Sequence, residues 1–195
     1  AAEVSEDGGA ITVRWSGSEA VFSRLTGTLS KLVLRGKTII ADAPEICRGP
    51  RLQVARAFND SDDWMRKPFI AKGMSQLSYH PRPLRMERDG ISVRIVSSVR
   101  VTGAKSGGFE HEMSWMFGED GSVCCANVVE PLGDVPALPR IGLFQMLDGA
   151  LEELRWYGRG PWENYQDRAR SAMIGRYKAS IGLVSGLADA ATGTI

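Results

Sequence analysis

Apolar and polar residues alternate along most of the chain. In AITVRW, Ile11, Val13 and Trp15 fall on one face and Thr12 and Arg14 on the other, which is the period of a half-buried strand. Similar segments follow at TLSKLVLRG, RLQVARAF, ISVRIVSSVRV, FEHEMSWMF, SVCCANVVE, PRIGLFQML and ELRWYGRG. Glycine-rich turns separate them about every 8–14 residues, a spacing typical of a sandwich or barrel. The pattern predicts an all-β fold built as an antiparallel sandwich.

Two of these segments carry finer predictions. GEDG, between FEHEMSWMF and SVCCANVVE, predicts a hairpin turn. In ISVRIVSSVRV, Ile91, Val93 and Ile95 share one face, and the serines at positions 97 and 98 suggest a shift of phase. A phase shift within a strand predicts a β-bulge.

Two segments break the alternation and predict short helices. In DSDDWMRKPFIAKGM, Asp60, Asp62 and Asp63 are candidate N-caps and Gly73 is a stop signal. Pro68 limits this helix to a short or interrupted one. The segment NYQDRARSAMIG predicts one or two further helical turns.

The chain is organised as one domain. Residues 1–9, AAEVSEDGG, are acidic and polar and predict a flexible N-terminal extension. Residues 10–195 contain no linker and no repeat of fixed period, so we expect one β-sandwich domain. Residues 179–195 are small and carry one charge, which predicts a weak strand or a frayed end.

Composition excludes several function classes. The 195 residues include 24 Lys and Arg against 23 Asp and Glu, a net charge of +1. A nucleic-acid binder carries a clear basic excess, so we expect no nucleic-acid partner. No segment approaches the ~20 apolar residues of a membrane span, so we expect no membrane partner. The first ten residues do not form a signal peptide, which predicts a cytoplasmic location.

Cysteines and histidines give no metal-site spacing. Cys47 stands alone, and Cys124 and Cys125 are adjacent on a predicted strand, where neighbours point to opposite faces. They therefore cannot readily share a metal or form an unstrained disulfide. His80 and His111 have no second ligand at metal spacing. We expect no metal and no cofactor.

The most specific stretch runs from Leu138 to Tyr177, LPRIGLFQMLDGALEELRWYGRGPWENYQDRARSAMIGRY. It resembles the small-chain, C-terminal β-sandwich domain of β-galactosidases of glycoside hydrolase family 2, in which an RIGL strand precedes a W-Y-G-x-G-P-x-E-N-Y-x-D-R turn. The segments FSRLTGTLSKLVLRGKTII and GPRLQVARAFNDSDDW resemble two further parts of that domain. Phe58 and Ser61 depart from its R-A-P-x-D-N-D pattern.

The resemblance implies a galactose-mutarotase-like supersandwich without catalytic residues of its own. The family's two catalytic glutamates lie in a separate (β/α)₈ barrel, and such a barrel needs ~250 residues. We therefore expect a β-galactosidase domain that is inactive alone, docks against a catalytic barrel, and binds or positions galactoside-type carbohydrate. The resemblance also implies that the family's domain extends beyond residue 195.

Candidate site residues cluster at the aromatic turn and at the predicted helix start. Two glycines and Pro161 shape the turn, and its acids can pair with Arg159 or Arg168. The candidates for carbohydrate contact or domain docking are Trp156, Tyr157, Arg159, Trp162, Glu163, Asn164, Tyr165, Asp167 and Arg168, with Arg56, Asn59 and Asp60. Glu163 and Asp167 do not suit a glycosidase pair, because nearby arginines depress a carboxyl pKa.

Three alternatives remain open at this point. NDSDDW at residues 59–64 gathers oxygens as a calcium loop does, although a helix cap with exposed acids explains it better. An aldose 1-epimerase would need His80 or His111 together with a carboxylate; His111 is expected to point away from Glu110 and Glu112. The aromatic patch would also suit a free-standing carbohydrate-binding module.

Strand edges predict self-association. If the chain lacks later strands of the family's domain, unpaired edges and apolar side chains remain uncovered. The candidate segments are Arg140–Leu147 and Leu154–Arg159. We therefore expect a homo-oligomer.

Overall fold

The computed structural model describes residues 2–41, 49–90, 92–161 and 170–180. Its strands and helices are β1 (Glu3–Glu6), β2 (Ala10–Trp15), β3 (Ser18–Ser23), β4 (Thr28–Leu34), β5 (Lys37–Ile40), β6 (Arg51–Gln53), a 3₁₀ turn (Asp60–Asp62), α1 (Asp63–Ala71), β7 (Leu77–Pro81), β8 (Arg85–Asp89), β9 (Ser92–Gly103), β10 (Gly108–Phe117), β11 (Val123–Leu132), β12 (Gly142–Phe144), β13 (Glu153–Gly160) and β14 (Met173–Ser180). They fall into two units, Ala1–Asp148 and Gly149–Ile195.

The first unit contains two five-stranded antiparallel sheets. Strands β1 to β5 form the first sheet in chain order. In the second sheet β11, β10, β9 and β7 are neighbours, and β8 pairs with the other half of the β9 edge. The predicted GEDG turn joins β10 to β11. The prediction of an all-β sandwich is confirmed.

The larger hydrophobic core lies between these two sheets. Ile11, Val13 and Phe22 of the first sheet pack against Ile95 and Trp115 of the second. The rings of Phe22 and Trp115 meet edge to face with their centroids 5.7 Å apart. Burying side chains of this size stabilises the fold by roughly 1.5–3 kcal/mol each, so this core holds the sheets face to face.

A second core covers the remaining half of the second sheet. Leu52 of β6 and Phe69 of α1 are buried there against Val99, Val101 and Phe109. Strand β6 pairs with β12 over three residues. The strands predicted at RLQVARAF and PRIGLFQML are therefore much shorter than the sequence pattern indicated.

Strand β9 contains no bulge at its serines, so that prediction is wrong. The register of β9 against β10 runs without a shift from Arg94 to Thr102. Ser97 occupies an inward position between Ile95 and Val99 and is fully buried. Its hydroxyl donates a hydrogen bond to the carbonyl of Gly27 in the β3–β4 turn. Ser97 can thus occupy a core position of the strand, because a carbonyl in a turn of the first sheet accepts the hydrogen bond of its buried hydroxyl.

The N-terminal residues depart from the predicted flexible extension. Glu3–Glu6 forms strand β1 and pairs antiparallel with β2 along its whole length. Asp7 accepts hydrogen bonds of 2.7 Å from the backbone N–H groups of Gly9 and Ala10, which forms the turn into β2. The first sheet therefore begins at residue 3 rather than at residue 10.

In the second unit, β13 and β14 form an antiparallel hairpin. Their register runs from Glu153 opposite Ser180 to Gly160 opposite Met173. The side chains alternate between half-buried and exposed along both strands. The predicted strand at ELRWYGRG is confirmed. In NYQDRARSAMIG, residues 170–175 form a turn and the start of β14, so the helical turns predicted there are wrong, and residues 164–169 lie outside the described residues. Of the end predicted at 179–195, residues 179 and 180 belong to β14 and the others lie outside the described residues.

Gly27 is required by both its backbone conformation and its surroundings. Its φ of +64° lies in the left-handed region, and a Cβ added there would lie 2.5 Å from the Cβ of Pro81. Gly36 has a similar φ of +79°, but nothing lies within 4 Å of the position that its Cβ would take. Comparing the two positions therefore separates the cost of left-handed backbone strain, which both share, from the cost of close packing, which applies only at Gly27.

We expect Gly27→Ala to destabilise the chain more than Gly36→Ala. Left-handed strain costs about 1 kcal/mol at either position, and the clash with Pro81 adds about 2 kcal/mol at Gly27 by forcing β7 away from the turn. Thermal unfolding followed by circular dichroism measures both. Equal decreases in Tm for the two variants would show that the turn does not press against β7.

Candidate functional site

The aromatic hairpin carries the most specific of the predicted site residues. Trp156 and Tyr177 face each other across β13 and β14 and stack, with ring centroids 5.2 Å apart and planes 28° from parallel. The Trp156 indole donates to the carbonyl of Arg159 at 3.1 Å. The Tyr177 hydroxyl donates to the carbonyl of Met173 at 2.8 Å. Both polar groups of the stack are thus satisfied within the hairpin.

Glycines let the stacked rings lie flat on the hairpin. A Cβ at Gly160 would come within 2.9 Å of the Tyr177 ring and 3.1 Å of the Trp156 ring. A Cβ at Gly175 would lie 3.2 Å from the Tyr177 ring. The two glycines of the W-Y-G-R-G segment were predicted to serve backbone freedom, but Gly160 instead provides room for a ring.

The opposite face of the hairpin carries Tyr157 and Arg159. Tyr157 is 75% exposed, so its ring is accessible to a ligand or a partner. Arg159 donates to the carbonyl of Ala172 at 3.0 Å, which ties β13 to the turn that precedes β14. The hairpin therefore separates Trp156 and Tyr157, two predicted site residues, onto different faces.

The other residues predicted for this turn lie outside the described part of the chain. They are Trp162, Glu163, Asn164, Tyr165, Asp167 and Arg168. Their roles stay predictions. Tyr177 is the residue of this cluster that sequence reasoning missed, since its partner Trp156 lies 21 positions away and only the hairpin register brings the two together.

The second predicted cluster forms a helix cap. Asn59 and Asp62 make a reciprocal capping box, in which the Asp62 N–H donates to the Asn59 side chain at 3.1 Å and the Asn59 N–H to the Asp62 carboxylate at 2.6 Å. Arg56 forms an ion pair with Asp62 and donates to the Pro139 carbonyl at 2.9 Å. Asp60 is exposed. Arg56 and Asn59 thus anchor the helix start to the loop before β12.

This cluster corrects the expectation of exposed acids at Asp62 only, since Asp60 and Asp63 are exposed as expected. Asp62 is buried, and its carboxylate is held by Arg56 and by the Asn59 N–H. A calcium ion needs six to eight oxygen ligands, and Asp62 is already committed to a cation. Nowhere in the described ranges do three His, Cys, Asp or Glu side chains gather as metal ligands would.

The two histidines have different surroundings. His111 points inward, on the opposite face of β10 from Glu110 and Glu112, and its Nε2 lies 3.0 Å from the side-chain oxygen of Asn127. Burial lowers the pKa of His111. His80 is exposed, and its Nε2 lies 3.2 Å from the hydroxyl of Thr102. The hydrogen-bond partners found for these rings are thus an amide and a hydroxyl.

His111 also lines a small cavity of about 80 Å³ in the first unit, which sequence reasoning missed. Thr28, Arg51, Tyr79 and Met113 are among its other lining residues. Ligand pockets have volumes of roughly 300–1,000 Å³, so this space suits a few water molecules rather than a sugar.

Electrostatics in the described residues favours ionised carboxylates. A hydrogen bond from Lys178 and another from Arg155 hold the pKa of Glu153 below its usual value. Burial would raise the pKa of Glu110, but Arg100 and Arg82 outweigh it and the net shift is downward. Cations therefore hold these carboxylates in the charged form.

Cys124 and Cys125 lie as predicted, on opposite faces of β11, whereas Cys47 lies outside the described residues. Cys124 is exposed and Cys125 is half-buried, and neither forms a disulfide. Burial raises the pKa of the Cys125 thiol to about 11. A thiol in this state is neither a good nucleophile nor a good metal ligand.

Comparison with known proteins places these features in a family. The family model described as the β-galactosidase small chain matches residues 14–184. The chain belongs to the β-galactosidase small-chain family. The matched range includes β3 to β14, with the capped helix and the aromatic hairpin, whereas β1 and most of β2 precede it. The predicted resemblance is confirmed.

Several curated β-galactosidases are similar to this small-chain sequence. That of Vibrio cholerae is 27% identical over 188 residues, which cover 90% of this chain and 18% of the relative. That of Enterobacter cloacae is 29% identical over 172 residues, 87% of this chain and 15% of the relative. That of Psychromonas ingrahamii is 28% identical over 199 residues, 93% of this chain and 18% of the relative. The chain spans less than a fifth of the length of each of these proteins.

The single α-helix of the described residues is neither long nor apolar enough to cross a membrane.

We expect the buried His111 to make the stability of the small-chain fold depend on pH. Its folded pKa is lowered, so the unfolded chain binds more protons below about pH 6.5. Stability should therefore fall as the pH drops from 7 to 5.5, by at most about 1.4 kcal/mol from this group. Urea unfolding at both pH values measures the difference.

His111→Asn should remove most of this pH dependence, and His80→Gln is the matched control at an exposed histidine. The carboxylates held in the charged form lose their contribution only at lower pH, so they do not obscure this window. A wild-type stability that is equal at pH 7 and 5.5 would contradict the prediction.

Proposed function

We propose that this chain is the non-catalytic sandwich domain of an enzyme that hydrolyses terminal β-D-galactosides, and that it docks against a separate catalytic barrel. The observation that carries the proposal is the small-chain family match over residues 14–184, in relatives of which the chain spans 15–18%. The remainder of such a relative has ample room for a (β/α)₈ barrel of ~250 residues.

The charge state of the described carboxylates supports a non-catalytic role. The acid of a glycosidase needs a raised pKa so that it can protonate the leaving group. The pKa shifts of Glu19, Glu110 and Glu153 are all downward, and each of these residues forms ion pairs with two cations. Such groups suit structural ion pairs.

An apolar segment around β12 supports docking. Its large side chains are exposed, at 57% for Ile141, 41% for Phe144 and 56% for Leu147, with Leu143 and Met146 between them. Contiguous exposed apolar residues mark interaction surfaces. We assign this segment, Ile141–Leu147, to contact with the catalytic barrel.

The hairpin supports the carbohydrate part of the proposal. The Tyr157 ring is exposed on one face and held in position by a strand whose other face carries the Trp156–Tyr177 stack. Exposed aromatic rings on rigid strands suit stacking against sugars. In this proposal Tyr157 helps to bind or position galactoside near the catalytic barrel.

Hydrolysis of o-nitrophenyl β-D-galactoside tests the proposal. The purified chain alone should give no turnover above the blank. Mixed with the Vibrio cholerae β-galactosidase from which the matched 188-residue segment has been deleted, it should restore hydrolysis that neither part shows alone. Ile141→Ser combined with Leu147→Ser should weaken this restoration, and Leu25→Ser, at an exposed leucine of the β3–β4 turn, is the matched control.

Two results would contradict the proposal. One is turnover by the chain alone that Glu163→Gln or Asp167→Asn abolishes. The other is acceleration of α-galactose mutarotation, measured by polarimetry and lost in His80→Ala or His111→Ala, which would indicate an epimerase instead.

We further propose that the isolated chain self-associates through the same apolar segment. Without a barrel, Ile141–Leu147 has no partner within the described residues to cover it, and a stable contact needs about 800 Å² per partner. Light scattering after size exclusion should give a mass above 21.2 kDa that falls to the monomer value in the Ile141→Ser, Leu147→Ser variant. A wild-type mass of one chain at all concentrations would contradict this.

A further inference from the structure

One face of the β13–β14 hairpin concentrates positive charge, and we call it the outward face. Its charged and aromatic residues are Glu153, Arg155, Tyr157 and Arg159 on β13 and Arg176 and Lys178 on β14. Four cations meet one carboxylate there, whereas the whole chain has 24 basic against 23 acidic residues. The outward face therefore differs from the average surface of the protein.

The register brings like charges together on this face. Arg155 lies directly opposite Lys178, an arrangement that disfavours the strand pairing. Glu153 offsets it by forming ion pairs with both, and hydrogen bonds from these cations keep its pKa low. Both cations remain well exposed, at 72% and 63% of their side chains. Glu153 contributes one negative charge against their two positive charges, so a net positive charge remains at this position.

Tyr157 lies at the centre of the outward face. It is 75% exposed and directly opposite Arg176, so their Cβ atoms are about 5 Å apart. Arg155 and Arg159 lie two positions away along the strand, at about 7 Å. Across the described ranges, Arg176 makes no ion pair or hydrogen bond. An accessible ring is thus bordered by cations on three sides.

These groups match a sugar that carries negative charge. A tyrosine ring offers an apolar surface with low conformational entropy for the C–H face of a pyranose. An arginine guanidinium binds a carboxylate or a comparable oxyanion through two parallel hydrogen bonds. A neutral sugar would use the ring but would leave Arg176 without an anionic partner, and a bare polyanion would use the cations but not the ring.

We propose that the outward face binds galactosides that carry a carboxylate or sulfate group. The choice of galactose as the sugar rests on the proposed function, while the requirement for an acidic group rests on the outward face itself. Tyr157 stacks on the sugar ring, and Arg176 binds the anionic group with Arg155 or Lys178 as a second contact.

Titration calorimetry of the full chain tests the proposal with three probes: an oligogalacturonate, a sulfated galacto-oligosaccharide and a neutral galacto-oligosaccharide. The first two distinguish carboxylate from sulfate, and at least one of them should bind ten times more tightly than the neutral probe. Arg176→Gln and Tyr157→Ala should each weaken that binding at least fivefold. Tyr157→Phe should retain it.

Arg88→Gln is the matched control, because Arg88 is an exposed arginine of β8 in the other unit and its loss removes the same charge. It should leave the Kd unchanged. The proposal is overturned if neither acidic probe binds, if the neutral probe binds equally well, or if polyglutamate binds as tightly as the acidic sugars. Equal binding of an oligoglucuronate would overturn the choice of galactose.

Failure here is distinct from failure of the proposed function. Restored hydrolysis without binding of acidic galactosides would overturn the outward-face site alone. Binding of acidic galactosides without restored hydrolysis would overturn the enzyme-domain role alone.

Discussion

The pairing of β9 with β10 is the constraint on which the first unit depends. One half of their shared inner face, with Ile95 and Trp115, packs against the first sheet, and the other half, with Val101 and Phe109, packs against α1 and β6. Where the covering partner changes, the inner face becomes polar at Ser97 and His111. Each finds a hydrogen-bond partner there, which lets a single pair of strands serve two cores.

Alternation of side chains predicted the long strands, because half-buried strands leave a period of two in the sequence. The alternation pattern failed at Ser97, because its hydrogen-bond partner Gly27 lies 70 positions away. It also failed for β6 and β12, because their length depends on pairing with each other across a long stretch of sequence. The helix cap was predicted, but the burial of Asp62 was not, because it depends on Arg56, which pairs with Asp62 and also donates to the carbonyl of Pro139, 83 positions away. A local sequence pattern carries no information about partners that lie far away in the chain.

The sequence predicted which residues form the candidate site, but only part of how they are arranged. The dense aromatic turn indicated a functional surface, and the structure places two of its aromatics, Trp156 and Tyr157, on different faces of one hairpin. Trp156 and Tyr177 use their rings and polar atoms on each other and on the backbone, so they serve the rigidity of the hairpin. Tyr157 makes no comparable stack among the described residues and is 75% exposed, which leaves it accessible for recognition.

Under the proposed function, this division gives a physical reason for separating recognition from acid catalysis. Recognition needs rigid, exposed rings and cations, whereas acid catalysis needs a carboxyl shielded from cations so that its pKa can rise. The cations that enrich the hairpin would suppress that rise, as Lys178 and Arg155 do at Glu153. In the proposed enzyme, recognition on the sandwich and proton transfer on a separate barrel would avoid the conflict between these two electrostatic requirements.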